Sequence, residues 1–247
     1  MEGFAFWSLA VLAAVLVGMS KGGLPVVGML GVPVLSLAIS PVVAAGLLLP
    51  VFVLSDLFGL YAYRQAFDRR VLAVMLPAVT LGVGVGWATA SLVSVQVVTL
   101  LVGVVGLGFA ANFLFLGKAA QAGRPLRRAA GLFWGGLAGF TSFVSHAGAP
   151  PYQVFVLPLR LEKAVYAGTT TILFAYVNAI KLVPYWALGQ LNIANLQVAA
   201  VLVLPAVAAV FVGLRLVKII PEAVFFRIVV WALLAVSLKL IWDGATG

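Results

Sequence analysis

No Asp, Glu, Lys, Arg or His occurs between Val71 and Gly117, and the same holds from Gly22 to Ser55 and from Leu182 to Leu214. About 20 apolar residues in helical form span the ~30 Å hydrocarbon core of a bilayer. Runs of this length therefore read as membrane-spanning helices. Of 247 residues 64% are hydrophobic and 9% charged, whereas a soluble domain is about a quarter charged. Too little polar surface exists to coat a water-soluble globule. The chain is an all-α polytopic membrane protein with almost no extramembrane mass, which leaves no room for a separate soluble catalytic domain. The runs are too long, and lack the two-residue alternation, for membrane β-strands.

Fifteen Lys and Arg against six Asp and Glu give a formal charge of +9. The basic residues sit in short loops between apolar runs, which is the positive-inside pattern and argues against a nucleic-acid partner. With no cysteine and a single histidine, His146, disulfides, thiolate chemistry and His-rich metal sites are excluded. Lys21 is the first positive side chain. The opening apolar stretch is thus expected to be a retained helix and not a cleaved signal peptide.

Apolar segments and their interruptions give about ten helical pieces: 4–17, 25–39, 42–63, 71–90, 96–116, 129–143, 151–159, 164–185, 196–214 and 223–242. The whole chain, 1–247, is read as one permease-like domain of 8–10 transmembrane or re-entrant helices. Within it the sequence repeats, approximately over 4–117 and 128–242. Ser20-Lys21-Gly22-Gly23-Leu24-Pro25 lines up with Ser145-His146-Ala147-Gly148-Ala149-Pro150, and Pro33 with Pro158. Gly46, Phe52 and Asp56 then fall on Gly168, Phe174 and Asn178, and Leu76-Pro77-Ala78-Val79 on Leu204-Pro205-Ala206-Val207. Polar and proline positions carry this match, so it is more than the low complexity of an apolar chain.

Charge places the loops. Arg64, Arg69 and Arg70 form one basic loop, and Lys118, Arg124, Arg127 and Arg128 the longest. Arg160 with Lys163, and Arg215 with Lys218, form two more; the connections near Ser91 and over 189–195 have no basic residue. With basic loops cytoplasmic, both termini lie outside. Each half has five pieces, an odd number, so the halves have opposite topology, the inverted-repeat plan of secondary transporters.

The first pair of pieces in each half is short. At 1.5 Å per residue, 25–39 reaches only ~21 Å and 151–159 ~12 Å. The turns 20–25 and 145–150 are therefore expected within the membrane, one from each side. Irregular backbone at that depth is tolerated where it is buried in protein or lines a wet cavity. Gly22, Gly23 and Gly148 permit close backbone approach, and Pro25, Pro150 and Pro151 suit a helix start. Helices starting there are expected to aim free N–H groups and a positive dipole end at the turn, which attracts anions. Broken segments at matching places in two halves point to a transport site.

At these residues the chain resembles the TauE/SafE, or sulfite exporter, family of membrane permeases. The resemblance rests on Gly18-Met19-Ser20-Lys21-Gly22-Gly23-Leu24-Pro25. It rests also on Gly139-Phe140-Thr141-Ser142 running into His146-Ala147-Gly148-Ala149-Pro150-Pro151. It covers about 6–240. It implies a bacterial-type inner-membrane permease for small sulfur-containing anions such as sulfite or organosulfonates, and a class of anion, not one compound.

Each candidate residue has a plainer reading beside the functional one. Lys21 would neutralise the anion; the plainer reading is a lysine snorkelling from a helix end. His146 would hydrogen-bond the anion or carry a proton, or is a satisfied imidazole. Ser145 beside it makes no catalytic dyad, because the two side chains diverge on a helix. Asp56 is the one acid well inside an apolar run, and intramembrane carboxylates mark function by default. It would pair with Lys21 or Lys181 or take a proton, and a structural ion pair is its plainer reading. Asn178 and Lys181, three apart, share a helix face with each other, with a snorkelling Lys181 as the alternative. Ser20, Thr141, Ser142, Ser145, Gln153 and Thr169–Thr171 have donors to offer, although such residues commonly bond backbone or neighbouring helices. Trp87, Trp186 and Trp242 suit the outer interface.

The sequence thus reads as a permease for a small anion, working by alternating access, with Ser20, Lys21, Gly22, Gly23, Thr141, Ser142, Ser145, His146 and Gly148 around the substrate. Asp56, Asn178 and Lys181 form the coupling or ion-pairing group. The implied partners are the anion and the lipid bilayer, with no metal and no cofactor; a homo-oligomer is left open. An anion channel and a cation permease are the alternatives. An intramembrane enzyme would need a nucleophile with a base, or carboxylates with a metal, and one histidine with one buried acid argues against it.

Overall fold

The computed structural model describes residues 3–115 and 123–246. The described residues form helices and turns with no strand. In chain order the helices are α1 (Phe4–Lys21), α2 (Pro25–Gly28), α3 (Gly31–Leu35), α4 (Pro41–Tyr63), α5 (Arg69–Ala88) and α6 (Val95–Phe115). There follow α7 (Arg128–Ser145), α8 (Ala149–Val156) with a 3-10 turn Leu157–Leu159, α9 (Lys163–Ala187), α10 (Ile193–Ile219) and α11 (Glu222–Thr246). Lys118, placed by sequence in the longest basic loop, lies outside the described residues.

Six helices, α1, α4, α5, α6, α10 and α11, are long and apolar enough to cross a membrane. α9 is as long, at 25 residues, but carries Lys163, three threonines, Asn178 and Lys181. Large apolar side chains lie on the outside as well as the inside: α4 buries Leu47 and Leu48 yet exposes Leu57 and Phe58, and Leu81, Leu204 and Trp186 are exposed. Helices apolar around their circumference match a lipid surround and not water.

One expected helix is two. The piece 25–39 breaks after Gly28 and restarts at Gly31. Pro33 has no N–H for the carbonyl of Met29, and its ring crowds that carbonyl. At Gly28 a Cβ would sit 2.5 Å from Ser20 Oγ, so the short segment is pressed against α1. α2 is a single turn, so it carries little of the helix dipole expected from the sequence.

The chain clusters into two compact units. Unit 1 comprises Met1–Phe67 with Ala167–Ile220, and unit 2 Asp68–Tyr166 with Pro221–Gly247. In unit 1, α1 packs on α2, α3, α4 and α10, and α10 packs on α4. Ala10, Ala13, Ala14 and Val17 lie on one face of α1, in a core with Leu47, Leu48, Val51, Leu202 and Ala206. Small residues bring the backbones together, since lipid supplies no hydrophobic force between helices. A Cβ on Gly22 would stand 2.5 Å from the Val210 carbonyl oxygen and 2.6 Å from Gly213 Cα.

In unit 2, α5 packs on α7, α6 on α11, and α8 against α6 and α7. The same device recurs: a Cβ on Gly139 would lie 2.7 Å from Val79 Cα, and one on Gly103 2.8 Å from the Ile241 amide nitrogen. Asp68 starts α5 as its N-cap, accepting the N–H groups of Arg70 at 2.8 Å and Val71 at 3.1 Å.

This packing predicts opposite outcomes for two glycines on one helix. A Cβ on Gly82 would approach the Phe140 amide nitrogen to 2.8 Å, whereas one on Gly84 would meet nothing within 4 Å. Gly82→Leu is expected to cost about 3 kcal/mol or more through overpacking and to lower the melting temperature of the purified protein. Gly84→Leu is expected to leave it unchanged. Equal melting temperatures for the two variants would contradict the α5–α7 contact.

Candidate functional site

α1 ends inside unit 1. The Gly23 N–H bonds the Ser20 carbonyl at 3.2 Å and the Leu24 N–H that of Met19 at 3.3 Å. This closing pattern needs a left-handed residue, supplied by Gly23 at φ 109°. The freed Gly22 carbonyl accepts the Tyr63 hydroxyl at 2.8 Å. The whole turn Ser20–Leu24 is buried.

Lys21, the last residue of α1, does not snorkel. It is 4% exposed, its Nζ stands 2.8 Å from Asp56 Oδ1, and the same Nζ lies 4.9 Å from the centre of the Phe52 ring. Phe52 and Asp56 are four apart on α4 and so share a face. Asp56 is 2% exposed. Its second oxygen, Oδ2, accepts the Asn178 Nδ2–H at 2.8 Å. Lys181, one turn beyond Asn178 on α9, is 1% exposed, which also overturns the snorkelling alternative for it. It is within electrostatic reach of both Lys21 and Asp56, with its Nζ 5.8 Å from the centre of the Tyr185 ring. Among the described residues Lys21, Asp56 and Lys181 are the only charged side chains that are buried. Lys21, Asp56, Asn178 and Lys181 are thus brought together. The ring of Phe52 is an addition that sequence reasoning missed, although its four-residue spacing from Asp56 carries the signal.

α4 and α9 run antiparallel along this cluster. Gly46 lies against Gln190, Asp56 bonds Asn178, Gly59 faces Thr171, and Tyr63 with Ala66 meets Gly168. The Thr171 hydroxyl is buried with no hydrogen-bond partner.

The second turn belongs to unit 2. α7 ends at Ser145, and His146 follows in the left-handed conformation, φ 53° and ψ 17°. His146 therefore does the backbone work that Gly23 does in the first turn. Its expected equivalence with Lys21 does not hold, because Lys21 is the last helical residue of α1, two before the left-handed Gly23, and His146 is itself the left-handed residue. The Ala147 N–H closes onto the Thr141 carbonyl at 3.2 Å. The Thr141 hydroxyl lies 2.8 Å from the Leu137 carbonyl and 3.0 Å from that of Ala147. The Ser145 hydroxyl donates to the Thr141 carbonyl at 3.2 Å, and that of Ser20 to Val17 at 2.6 Å. All three hydroxyls are thus bonded to backbone carbonyls. Ser142 is buried in α7.

Gly148 precedes α8, whose first three residues include Pro150 and Pro151. Two of the N–H groups expected to face an anion do not exist there, and the Tyr152 N–H is bonded to the Gly148 carbonyl at 3.3 Å. The polar signal of this unit lies elsewhere. Gln153 on α8 is fully buried with neither amide atom hydrogen-bonded, and so is the Ser237 hydroxyl on α11. Buried polar groups without partners call for an explanation. Ser237 was not legible in the sequence, where it is one serine in an apolar helix. A wide cavity of about 820 Å³ in unit 2 is lined by Asp68, Arg70, Arg124 and Arg128 and by apolar residues including Val74 and Leu132.

The left-handed backbone at residue 146 predicts an inverted stability order. His146→Gly and His146→Ala both remove the imidazole, but only alanine keeps the left-handed penalty of about 1–2 kcal/mol. The glycine variant is expected to melt higher than the alanine variant. The reverse order, which helix propensity alone would give, would contradict this turn.

No curated protein and no solved structure matches the chain. The family model described as "Sulfite exporter TauE/SafE" matches residues 10–240, nearly the whole chain. With its apolar helices and its buried, charged turn, the chain belongs to the TauE/SafE sulfite exporter family of membrane transporters.

Proposed function

We propose that this protein is a permease of the cell's inner membrane that moves small sulfur-containing anions, such as sulfite or an organosulfonate, by alternating access. The observation that carries this reading is the buried cluster on α1, α4 and α9: two ammonium groups, Lys21 and Lys181, and one carboxylate, Asp56. Charges in a membrane interior are costly and mark ion or substrate pathways. An excess of one buried positive charge favours an anion over a cation as the substrate. Lys21 and Lys181 attract the anion, Asn178 and Asp56 hold the lysines in place while the site is empty, and Thr171 has a free hydroxyl to offer. In unit 2, Gln153 and Ser237 hold unspent hydrogen-bonding capacity of the kind a polar solute uses, and His146 and Gly148 shape the turn beside α8. The arginine-lined cavity supplies a positive field that raises the local anion concentration.

The inverted repeat over 4–117 and 128–242 belongs to the same proposal. Three features support it. The residues matched by sequence, Asp56 and Asn178, are hydrogen-bonded to each other, as mates lying on a two-fold axis would be. Gly46 near the start of α4 packs at Gln190 just after α9, while its match Gly168 near the start of α9 packs at Ala66 just after α4. Counting α2 and α3 as one piece, each half also pairs its first piece with the fourth of the other half, α1 with α10 and α7 with α5.

The test is counterflow of labelled sulfite in proteoliposomes. Saturable exchange is expected in the wild type. Lys21→Gln leaves Asp56 with Lys181 as counter-charge, so the fold is kept while the excess positive charge is lost. Losing one charge-assisted contact is worth roughly 1.5–3 kcal/mol, so the apparent affinity should fall roughly 10- to 150-fold. Lys239→Gln, which removes an exposed side chain paired with Asp243, should leave it unchanged. Wild-type affinity in Lys21→Gln would refute the anion site.

Orientation is tested separately. Basic loops on the cytoplasmic side place Arg69 and Arg124 inside and Gly189 and both termini outside. The native chain has no cysteine, so Gly189→Cys is expected to react with an impermeant maleimide added from outside. Reaction only from the cytoplasmic side would reverse the orientation.

A further inference from the structure

We infer that Asp56 sets the valence of the transported anion: while it carries its charge the site takes a monoanion, and removing that charge turns the site over to a dianion. The inference rests on the anion-permease reading above and adds to it the charge class of the substrate and the residue that fixes it.

Lys21, Asp56 and Lys181 are at most 4% exposed and are the only buried charged side chains among the described residues. The titratable groups that face them on the same helices, Tyr63 of α4 and Tyr185 of α9, are neutral phenols. Both oxygens of Asp56 face donors, Lys21 Nζ at 2.8 Å and Asn178 Nδ2 at 2.8 Å. A carboxylate fits such a setting, whereas a carboxylic acid would need an acceptor for its proton. With all three groups taken in their ionised forms, the formal sum is two positive charges and one negative. An uncompensated charge in a low-dielectric interior is strongly disfavoured. One negative charge brings the cluster to neutrality; two would leave it negative. A monoanion, a hydrogen sulfite or a sulfonate, therefore completes the site, and a dianion of similar size overfills it.

Asp56 differs from the lysines in its role. Lys21 and Lys181 attract any anion, and their loss weakens all of them. Asp56 repels the anion, and does so twice as strongly for a dianion as for a monoanion, because Coulomb energy scales with the product of charges. Its removal should thus help both ligands and help the dianion more. A residue that merely fixes helix packing would weaken both alike.

The experiment measures equilibrium binding to the purified full-length protein with two permanently ionised probes, methanesulfonate and 1,2-ethanedisulfonate. Wild type should bind the monoanion more tightly. Asp56→Asn keeps a hydrogen-bonding side chain beside Asn178, raises the cluster to two positive charges, and should shift the affinity ratio toward the dianion by at least about 10-fold. Asp56→Asn/Lys181→Gln returns the cluster to one positive charge and should restore the monoanion preference, a reversal that a packing defect would not produce. If Asp56→Asn does not fold, Asp56→Asn/Lys181→Gln alone must still prefer the monoanion, and Lys181→Gln, whose cluster is neutral, must bind neither probe well. An unchanged ratio in Asp56→Asn, or a dianion preference in the double variant, would overturn the inference while leaving the permease reading intact. Failure of the wild type to bind either probe would overturn both.

Discussion

The ion pair between Lys21 and Asp56 is the interaction around which unit 1 is arranged. Neither charge is tolerable alone in a membrane interior; together, at 2.8 Å and with Asn178 on the remaining oxygen, they tie the end of α1 to the middle of α4 and both to α9. Removing Asp56 leaves two buried ammonium groups with no carboxylate between them, and with them the desolvation penalty of unpaired charge. The turn that follows Lys21 is then fixed in turn: Gly23 takes the left-handed conformation, Tyr63 caps the Gly22 carbonyl, and Gly22 lies against the backbone of α10. In the proposed reading, an anion that competes with Asp56 for Lys21 would loosen the same tie and so couple binding to how these three helices pack.

Between the helices the contacts are of small residues and backbone. Lipid tails are as apolar as leucine, so burial drives no association there, and close approach with dispersion takes its place. Glycines at the α1–α10 and α5–α7 contacts bring backbones so close that a methyl group would not fit. Polar side chains are mostly absorbed in the same way. Ser20, Thr141 and Ser145 bond carbonyls of their own helices or turn. What is left over, the side chains of Gln153, Ser237 and Thr171, is a short inventory of buried groups whose hydrogen-bonding capacity is not spent on structure.

Much of the architecture was legible because it follows from periodicity and charge. The long runs show as helices 41–63, 69–88 and 95–115 close to where apolarity places them, since in a bilayer only a helix satisfies the backbone of such a run. The match of Asp56 with Asn178 was legible as sequence likeness; that the two touch was not, because pairing across 122 positions is a tertiary fact. The break between α2 and α3 does not show in the apolar run 25–39; it follows from Pro33, which offers no donor to the Met29 carbonyl. Pro150 and Pro151 mark a helix start at α8 and by the same chemistry remove two of the N–H groups such a start would offer. Sequence places a lysine along a helix but does not say whether its ammonium turns to the interface or to a carboxylate on another helix, and this leaves both lysines ambiguous. His146 stood out as the single histidine, and its left-handed backbone, the feature that explains its place, leaves no mark in composition.

The central claim is that an anion is held by the buried lysines of unit 1. Selenite and methaneselenonate match sulfite and methanesulfonate in shape and charge, and selenium scatters anomalously. A crystal structure of the protein loaded with methaneselenonate, with data collected at the selenium edge, locates the ligand without ambiguity of identity. The account predicts an anomalous peak within hydrogen-bonding reach of Lys21 Nζ or Lys181 Nζ, accompanied by lengthening of the Lys21–Asp56 contact. A peak confined to other surfaces of the protein, with that contact unchanged, would contradict it.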